Sequence, residues 1–343
     1  MVKRIKNNNF DFLRFLFAIF VVISHAYALS GGAEENTGIN KLSNGQLSFS
    51  QIGLSGFFII SGYFIFQSLQ RSKSLLIYYK KRFLRIFPAL VVVLCLSLIL
   101  VAFVYTGEVS FFKNKEVYTY IPYNVSLYGF QSSIQGVFDT NTYRSINGSL
   151  WSIRYEFSLY IALSFLFFIR NKKWIISYVL SLTFFVFYIL YNFYLPKFAG
   201  ASFMNLLGLH ILNLGTFFIA GSVLASLQLE TFKNKKTLLF VAVSIFLCSP
   251  YFNYYDLVNY IVLPFLILLI GFVPFIGLKD FFKLGDASYG IYIYSFPIQQ
   301  TLMWFFKMNT YTLMLYSIFL SIGFGFLSWH LIEKQALKLK QNV

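Results

Sequence analysis

Ten apolar runs set the limits on what this chain can become. They lie near residues 12–30, 52–70, 86–106, 149–169, 173–195, 206–227, 237–250, 256–275, 286–306 and 311–332. A segment inside a bilayer has no water to bond its backbone, so it must satisfy its own amides. A run of roughly 20 apolar residues does so as an α-helix. The expected fold is therefore all-α, a polytopic membrane protein with about ten transmembrane helices. The run 237–250 is the shortest and stops at Ser249-Pro250. Composition agrees: 58% of the 343 residues are hydrophobic, 21% aromatic and only 12% charged. No soluble domain of this length has that balance.

Charge then orients the helices. The formal net charge is +16, which in a soluble chain would suggest a nucleic-acid partner. Here the basic residues gather in short loops between apolar runs, so no nucleic acid is expected. All of the 28 lysines and arginines except Lys41, Lys113, Lys115, Arg144, Arg154, Lys197 and Lys307 fall on one side of the predicted spans. By the positive-inside rule that side is the cytoplasm, and both termini lie there. The opening Lys3, Arg4 and Lys6, followed by an apolar run ending Ala26-Tyr27-Ala28, imitates a cleaved signal peptide. Asp11 and Arg14 break the apolar core such a peptide needs, so the segment reads as a retained helix. No linker or low-complexity tract divides the chain, and a single integral membrane domain over 1–343 is expected. Cys95 and Cys248 sit far apart in apolar runs, with no disulfide or metal spacing. Both read as buried, inert thiols, and no metal is expected.

Ionisable groups inside apolar runs are costly and mark function by default. The first run carries Arg14 and His25. Eleven residues on a helix make about three turns and roughly 16 Å of rise, so both face one stripe, with Ala18 and Val21 between them. The bland alternative is a snorkelling arginine and a histidine bonded to a neighbouring helix. The fourth run carries Glu156, roughly 10 Å below the outer face, while His25 lies roughly 20 Å above the inner one. Across a core of about 30 Å these depths are similar. A carboxylate within reach would orient a histidine base and stabilise its imidazolium. The competing reading pairs Glu156 with Arg154 or another span.

The segment YYKKRFLRIFPAL at 78–90 places Lys81, Arg82 and Arg85 on one helical face. It serves topology and anionic lipid, or it clamps a phosphorylated ligand, since arginine grips phosphate oxygens in pairs. Ser61 and Gly62 in the second run are small and read as close helix packing. The ninth run is expected to be interrupted by Pro297. Tyr289, Tyr292 and Ser295 give it a polar side of the kind that lines cavities, a candidate acceptor-binding surface. Loops 31–51 and 107–149 are long. Tyr118, Tyr120, Tyr123, Tyr128 and Tyr143 in the second suit sugar stacking or an interfacial aromatic belt.

Six blocks in order then resemble the acyltransferase type 3 family, the multi-span O-acyltransferases of bacteria. They are FDFLRFLFAIFVVISH, FFIISGYFI, KKRFLRIFPAL, SLWSIRYEF, LGDASYGIYIYSFPI and the closing LIEKQ. The resemblance covers the chain from end to end. It implies a donor, acetyl-CoA or another acyl-CoA, bound from the cytoplasm, and a glycan or lipid-linked glycan as acceptor. It implies a multi-pass protein of the bacterial inner membrane. It makes Arg14 and His25 the essential pair, with Arg82 and Arg85 near the donor; Lys81, on the same helical face, is taken as a donor contact with them, and Arg14 likewise. Where many members carry His in the ninth-run block this chain has Ser295, and where the closing block usually has Pro it has Gln335. His25 is thus the one mid-span candidate base. Competing classes are a transporter or flippase for a lipid-linked sugar, and a structural subunit of a glycan-assembly complex.

Overall fold

The structure, a computed structural model, describes residues 8–273 and 285–339. Lys3, Arg4, Lys6, Lys279, Lys283 and Lys340, which enter the charge asymmetry, lie outside the described residues, as does the end of the 256–275 run. The described helices are, in order, α1 Phe10–Leu29, α2 Gly38–Leu42, α3 Phe49–Arg71, α4 Leu75–Val104, α5 Lys115–Val125, α6 Ile153–Ser164, α7 Lys173–Phe198, α8 Gly208–Ser226, α9 Lys235–Tyr251, α10 Tyr255–Phe272, α11 Ser288–Phe306, α12 Thr310–Ser328 and α13 Lys334–Lys338. Short 3-10 turns flank α6, extending it to Gly148–Ile169. Each of the ten apolar runs carries a helix.

Eight of these helical segments are long and apolar enough to cross a membrane. Two of the ten expected spans fall short of that measure. The helix α9 has 17 residues, and α11 carries the fully buried Gln299 and Gln300. Large apolar side chains such as Phe103, Trp174, Phe240 and Phe319 stand exposed on the helices, as expected where the surrounding solvent is hydrocarbon. Cys95 and Cys248 also lie exposed, which corrects their expected burial. Their apolar neighbours Leu96 and Leu247 are likewise exposed, so on these outward faces a thiol is one more apolar group.

The chain forms two compact units. The first comprises Met1–Phe17, Gly38–Leu75 and Tyr155–Leu284, the second Ala18–Thr37, Leu76–Arg154 and Gly285–Val343. In the first unit α3 packs on α8, α8 also on α7, and α9 on α10. Glycine lets α3 and α8 meet backbone to backbone. A Cβ on Gly62 would fall 1.9 Å from the Phe218 carbonyl oxygen, and one on Gly221 would fall 2.2 Å from that of Ile59. The Ser222 hydroxyl donates to the Gly62 carbonyl at 3.0 Å. Small residues at a helix contact do this in membranes generally. Asn9 donates to the Ile270 and Val273 carbonyls at 2.8 and 2.7 Å, closing the last turn of α10 where helix carbonyls lack partners. A two-residue ribbon, β1 Ser202–Phe203 with β2 Leu206–Leu207, turns through Met204 and Asn205, both at positive φ.

In the second unit α11 packs on α12. Ala26, Leu29, Phe296 and Leu313 form a buried cluster there. Pro297 does not interrupt α11, which is helical from Ser288 to Phe306. A proline strips the i−4 carbonyl of its helix donor. Here that carbonyl belongs to Ile293, and the Asn147 side chain donates to it at 2.9 Å. The 107–149 loop is a folded element rather than an open strap. It carries α5, whose Tyr120 is fully buried, and the Asn124 amide donates to the Tyr120 and Gln131 carbonyls at 2.8 and 2.9 Å. Tyr118, Tyr123 and Tyr143 are exposed.

Candidate functional site

His25 lies in the last two turns of α1, within the second unit. Ala18 and Val21, on the same stripe, are buried. The imidazole meets the Phe296 ring edge-on, with centroids 5.2 Å apart. Gln299, one turn further along α11, donates to the Val22 carbonyl at 2.9 Å and to the Ser317 hydroxyl at 3.1 Å. The α1 backbone three residues before His25 is thereby fastened to both α11 and α12. The Ser24 hydroxyl donates to Glu34. Against these bonds stands a ring atom with none: His25 Nδ1 is buried and has no hydrogen-bond partner. A buried polar atom left unpaired is costly, and a catalytic role is among its standard explanations.

The polar side of α11 also bonds to its neighbours near this position. Tyr292 donates to the Ser149 carbonyl at 2.7 Å and lies 2.6 Å from the Ser152 hydroxyl. Its proton is spent on the carbonyl, so Ser152 donates to it. Ser295 is fully buried and donates to the Tyr292 carbonyl at 3.1 Å. Tyr289 donates to the Ile86 carbonyl at 3.1 Å. Gly148 allows the contact on the other side, since a Cβ there would lie 2.6 Å from the Phe296 ring. Of the three residues expected to face an acceptor, Tyr292 and Tyr289 thus hold α11 to Gly148–Ser152 and to α4, and Ser295 bonds within α11 itself.

Lys81, Arg82 and Arg85 share the first part of α4 as expected, but their surroundings differ. The Arg82 guanidinium sits 5.7 Å from the Tyr78 ring centroid. Arg85 pairs with Asp286 at 2.6 Å and with Glu333 at 3.4 Å. Asp286 also accepts from the backbone and hydroxyl of Ser288 at the start of α11. Glu333 is 2% exposed and accepts from the Ser328 hydroxyl at 3.1 Å. It closes a π-helical turn, Trp329–Glu333, of the kind often found where function bends a helix. Gly285, at φ +108°, lets that turn approach: a Cβ would fall 1.8 Å from Trp329 Nε1.

Arg14 and Glu156 belong to the first unit. Arg14 pairs with Asp11 at 3.4 Å, one turn earlier, and lies 5.4 Å from the Phe64 ring centroid. Glu156 accepts from the Ser61 hydroxyl at 2.7 Å and from the Tyr160 hydroxyl. Ser61 therefore does more than let helices pack. Asp286 and Glu333 stand in quoted sequence blocks, but nothing local marks them as partners of Arg85. Gln299 and Asn147 carried no signal beyond being polar. Among the described residues no group of three or more His, Cys, Asp or Glu could hold a metal ion.

Comparison with known proteins adds chemistry to this geometry. A family model described as an acyltransferase domain matches residues 7–332. A protein of Shigella phage Sf6 named as an O-acetyl transferase is 30% identical over 340 residues, covering 97% of this chain and 96% of its own. Nodulation protein 10 of Rhizobium leguminosarum bv. viciae is 26% identical over 375 residues, covering 98% and 95%. No solved structure matches significantly.

Proposed function

This chain belongs to the acyltransferase type 3 family, and we propose that it is an O-acyltransferase of the bacterial inner membrane. It moves an acyl group, in our reading acetyl, from cytoplasmic acyl-CoA to a hydroxyl of a surface or exported polysaccharide, or of its lipid-linked precursor. In this reading α9 and α11 also span, giving ten spans with both termini cytoplasmic. The observation that carries the proposal is the unpartnered, buried Nδ1 of His25 on a helix whose position is fixed by Gln299. The name of the Sf6 relative supports acetyl as the group moved.

His25 acts as general base. Nδ1 takes the proton of the acceptor hydroxyl as its oxygen attacks the thioester carbonyl. The carbon–sulfur bond then breaks, and the imidazolium returns its proton to the departing CoA thiolate. General acid–base help of this kind is worth ~10²- to 10⁴-fold. Lys81 and Arg82 meet the donor's phosphates. Arg85 is engaged by two carboxylates, so we assign it instead to holding the basic turn of α4 in place. Arg14, one of the essential pair the resemblance implies, is tested for donor binding by titrating CoA into Arg14→Ala.

The test is incubation of purified protein with labelled acetyl-CoA and a panel of glycans, followed by location of the label. Label on a glycan hydroxyl with wild type and none with His25→Ala supports the reading. Movement of unlabelled glycan lipid across a vesicle with no transfer would favour the transporter class instead.

A further inference from the structure

The first unit holds a cavity whose lining includes none of the residues assigned above to acyl transfer. It has a volume of about 230 Å³ and lies where the end of α3, the start of α7 and the end of α8 come together; its lining includes Phe66, Gln70, Arg71, Lys173, Ile176 and Glu230. Each of those three helices is long and apolar enough to span a bilayer, so a cavity at their ends lies at headgroup depth.

Its donors and acceptors are unequally satisfied. Glu230 accepts from the Tyr63 hydroxyl and, at 3.1 Å, from the Gln67 amide. Gln70 Nε2 is buried and has no partner. Arg71 and Lys173 are exposed, and neither forms an ion pair among the described residues. Two cations and one neutral N–H donor thus stand open, beside the apolar side chains of Phe66 and Ile176. That combination fits a tetrahedral oxyanion carrying a hydrocarbon tail. Basic pockets between spanning helices bind phospholipid headgroups in this way.

We propose that this cavity binds the phosphate headgroup of an anionic phospholipid. Gln70 donates to a phosphate oxygen, Arg71 and Lys173 neutralise its charge, and Phe66 and Ile176 line the start of an acyl chain. CoA and inorganic phosphate offer the same oxyanion, and the experiment separates them. The purified full-length protein is titrated with phosphatidylglycerol, phosphatidylcholine, inorganic phosphate and CoA, with bound lipid counted by native mass spectrometry. Phosphatidylglycerol should bind at least tenfold more tightly than phosphatidylcholine. Arg71→Ala/Lys173→Ala should lose roughly tenfold or more of that affinity, following the usual worth of a basic residue at a lipid surface. Gln70→Leu should lose several-fold. Lys233→Ala/Lys235→Ala, outside the cavity, should stay within twofold of wild type. The exposed Arg71 and Lys173 decide the matter even if Gln70→Leu folds poorly. Equal binding of both lipids, an unchanged Arg71→Ala/Lys173→Ala variant, or displacement of bound lipid by CoA or phosphate would overturn the proposal. Acyl transfer is not the readout, so failure of the acyltransferase reading would leave this result standing.

Discussion

Replacing Arg85 by alanine should cost stability before it costs donor affinity. Arg85 meets Asp286 at 2.6 Å and Glu333 at 3.4 Å, with side-chain exposures of 26%, 13% and 2% respectively. Removing one member of a buried ion pair costs ~3–5 kcal/mol, mostly because the other charge stays buried without compensation. Arg85 is a quarter exposed, which places the cost near the lower end, about 3 kcal/mol. For a large domain that lowers the thermal midpoint by roughly 5 °C or more. Glu333→Gln in the Arg85→Ala background should recover part of the loss, because the stranded charge is gone; residues in one network are non-additive in this way. The assay is thermal unfolding of detergent-purified variants, with CoA titrated into the folded fraction. An Arg85→Ala protein that melts like wild type but binds CoA tenfold more weakly would refute the reasoning. Arg85 would then be a phosphate ligand, as its place in the sequence suggests.

The remaining predictions concern single side chains. His25→Ala should leave protein level and melting within error and abolish acylation in cells; unchanged acylation at equal protein level would remove His25 from the mechanism. Asn147→Ala strands the Ile293 carbonyl that Pro297 cannot serve, an expected loss of ~1–3 kcal/mol, read as a lower melting midpoint. Lys81→Ala/Arg82→Ala should weaken CoA binding more than His25→Ala does, and the effect should shrink at high salt because partly exposed contacts are screened. Glu156→Gln keeps an oxygen for Ser61 and Tyr160 to donate to. Turnover per folded molecule near wild type would make Glu156 an anchor between α3 and α6, whereas a loss of ~10²-fold would give it the imidazolium-stabilising role.

The ten helices were legible because hydropathy is a local property, summed over neighbours in sequence. The same locality explains the misses. Pro297 reads as an interruption, because the donor that rescues its orphan carbonyl, Asn147, lies 146 residues away. The basic run at Lys81, Arg82 and Arg85 is plain, but the acids that engage Arg85 stand 201 and 248 residues off. Glu156 and Tyr160 are one helical turn apart, and that pairing could have been read from spacing. Ser61, 95 residues earlier, could not. Tyr120 resembles its loop neighbours in sequence, and only the folding of α5 separates it as buried from the exposed Tyr118 and Tyr123.

What gives His25 its weight is the contrast with polar groups that have been provided for. Asn9 and Gln299 each leave an amide oxygen unpaired, but the nitrogen of the same side chain donates twice. Those side chains are fixed whether or not the oxygen is served. Ser295, where the family resemblance leads one to expect a second histidine, is buried and donates its proton to the Tyr292 carbonyl. It has none left to give a substrate. The imidazole of His25 is held differently, by the Phe296 ring and by a backbone that Gln299 fastens. Its place is therefore set without using Nδ1. A base needs this arrangement, with the ring kept still by contacts that do not consume the lone pair it must offer. Gln299→Leu separates position from chemistry. It leaves the imidazole intact but releases α1 at Val22. If fixing the ring matters, turnover falls while CoA affinity holds. A variant that turns over like wild type would mean that packing on Phe296 alone suffices.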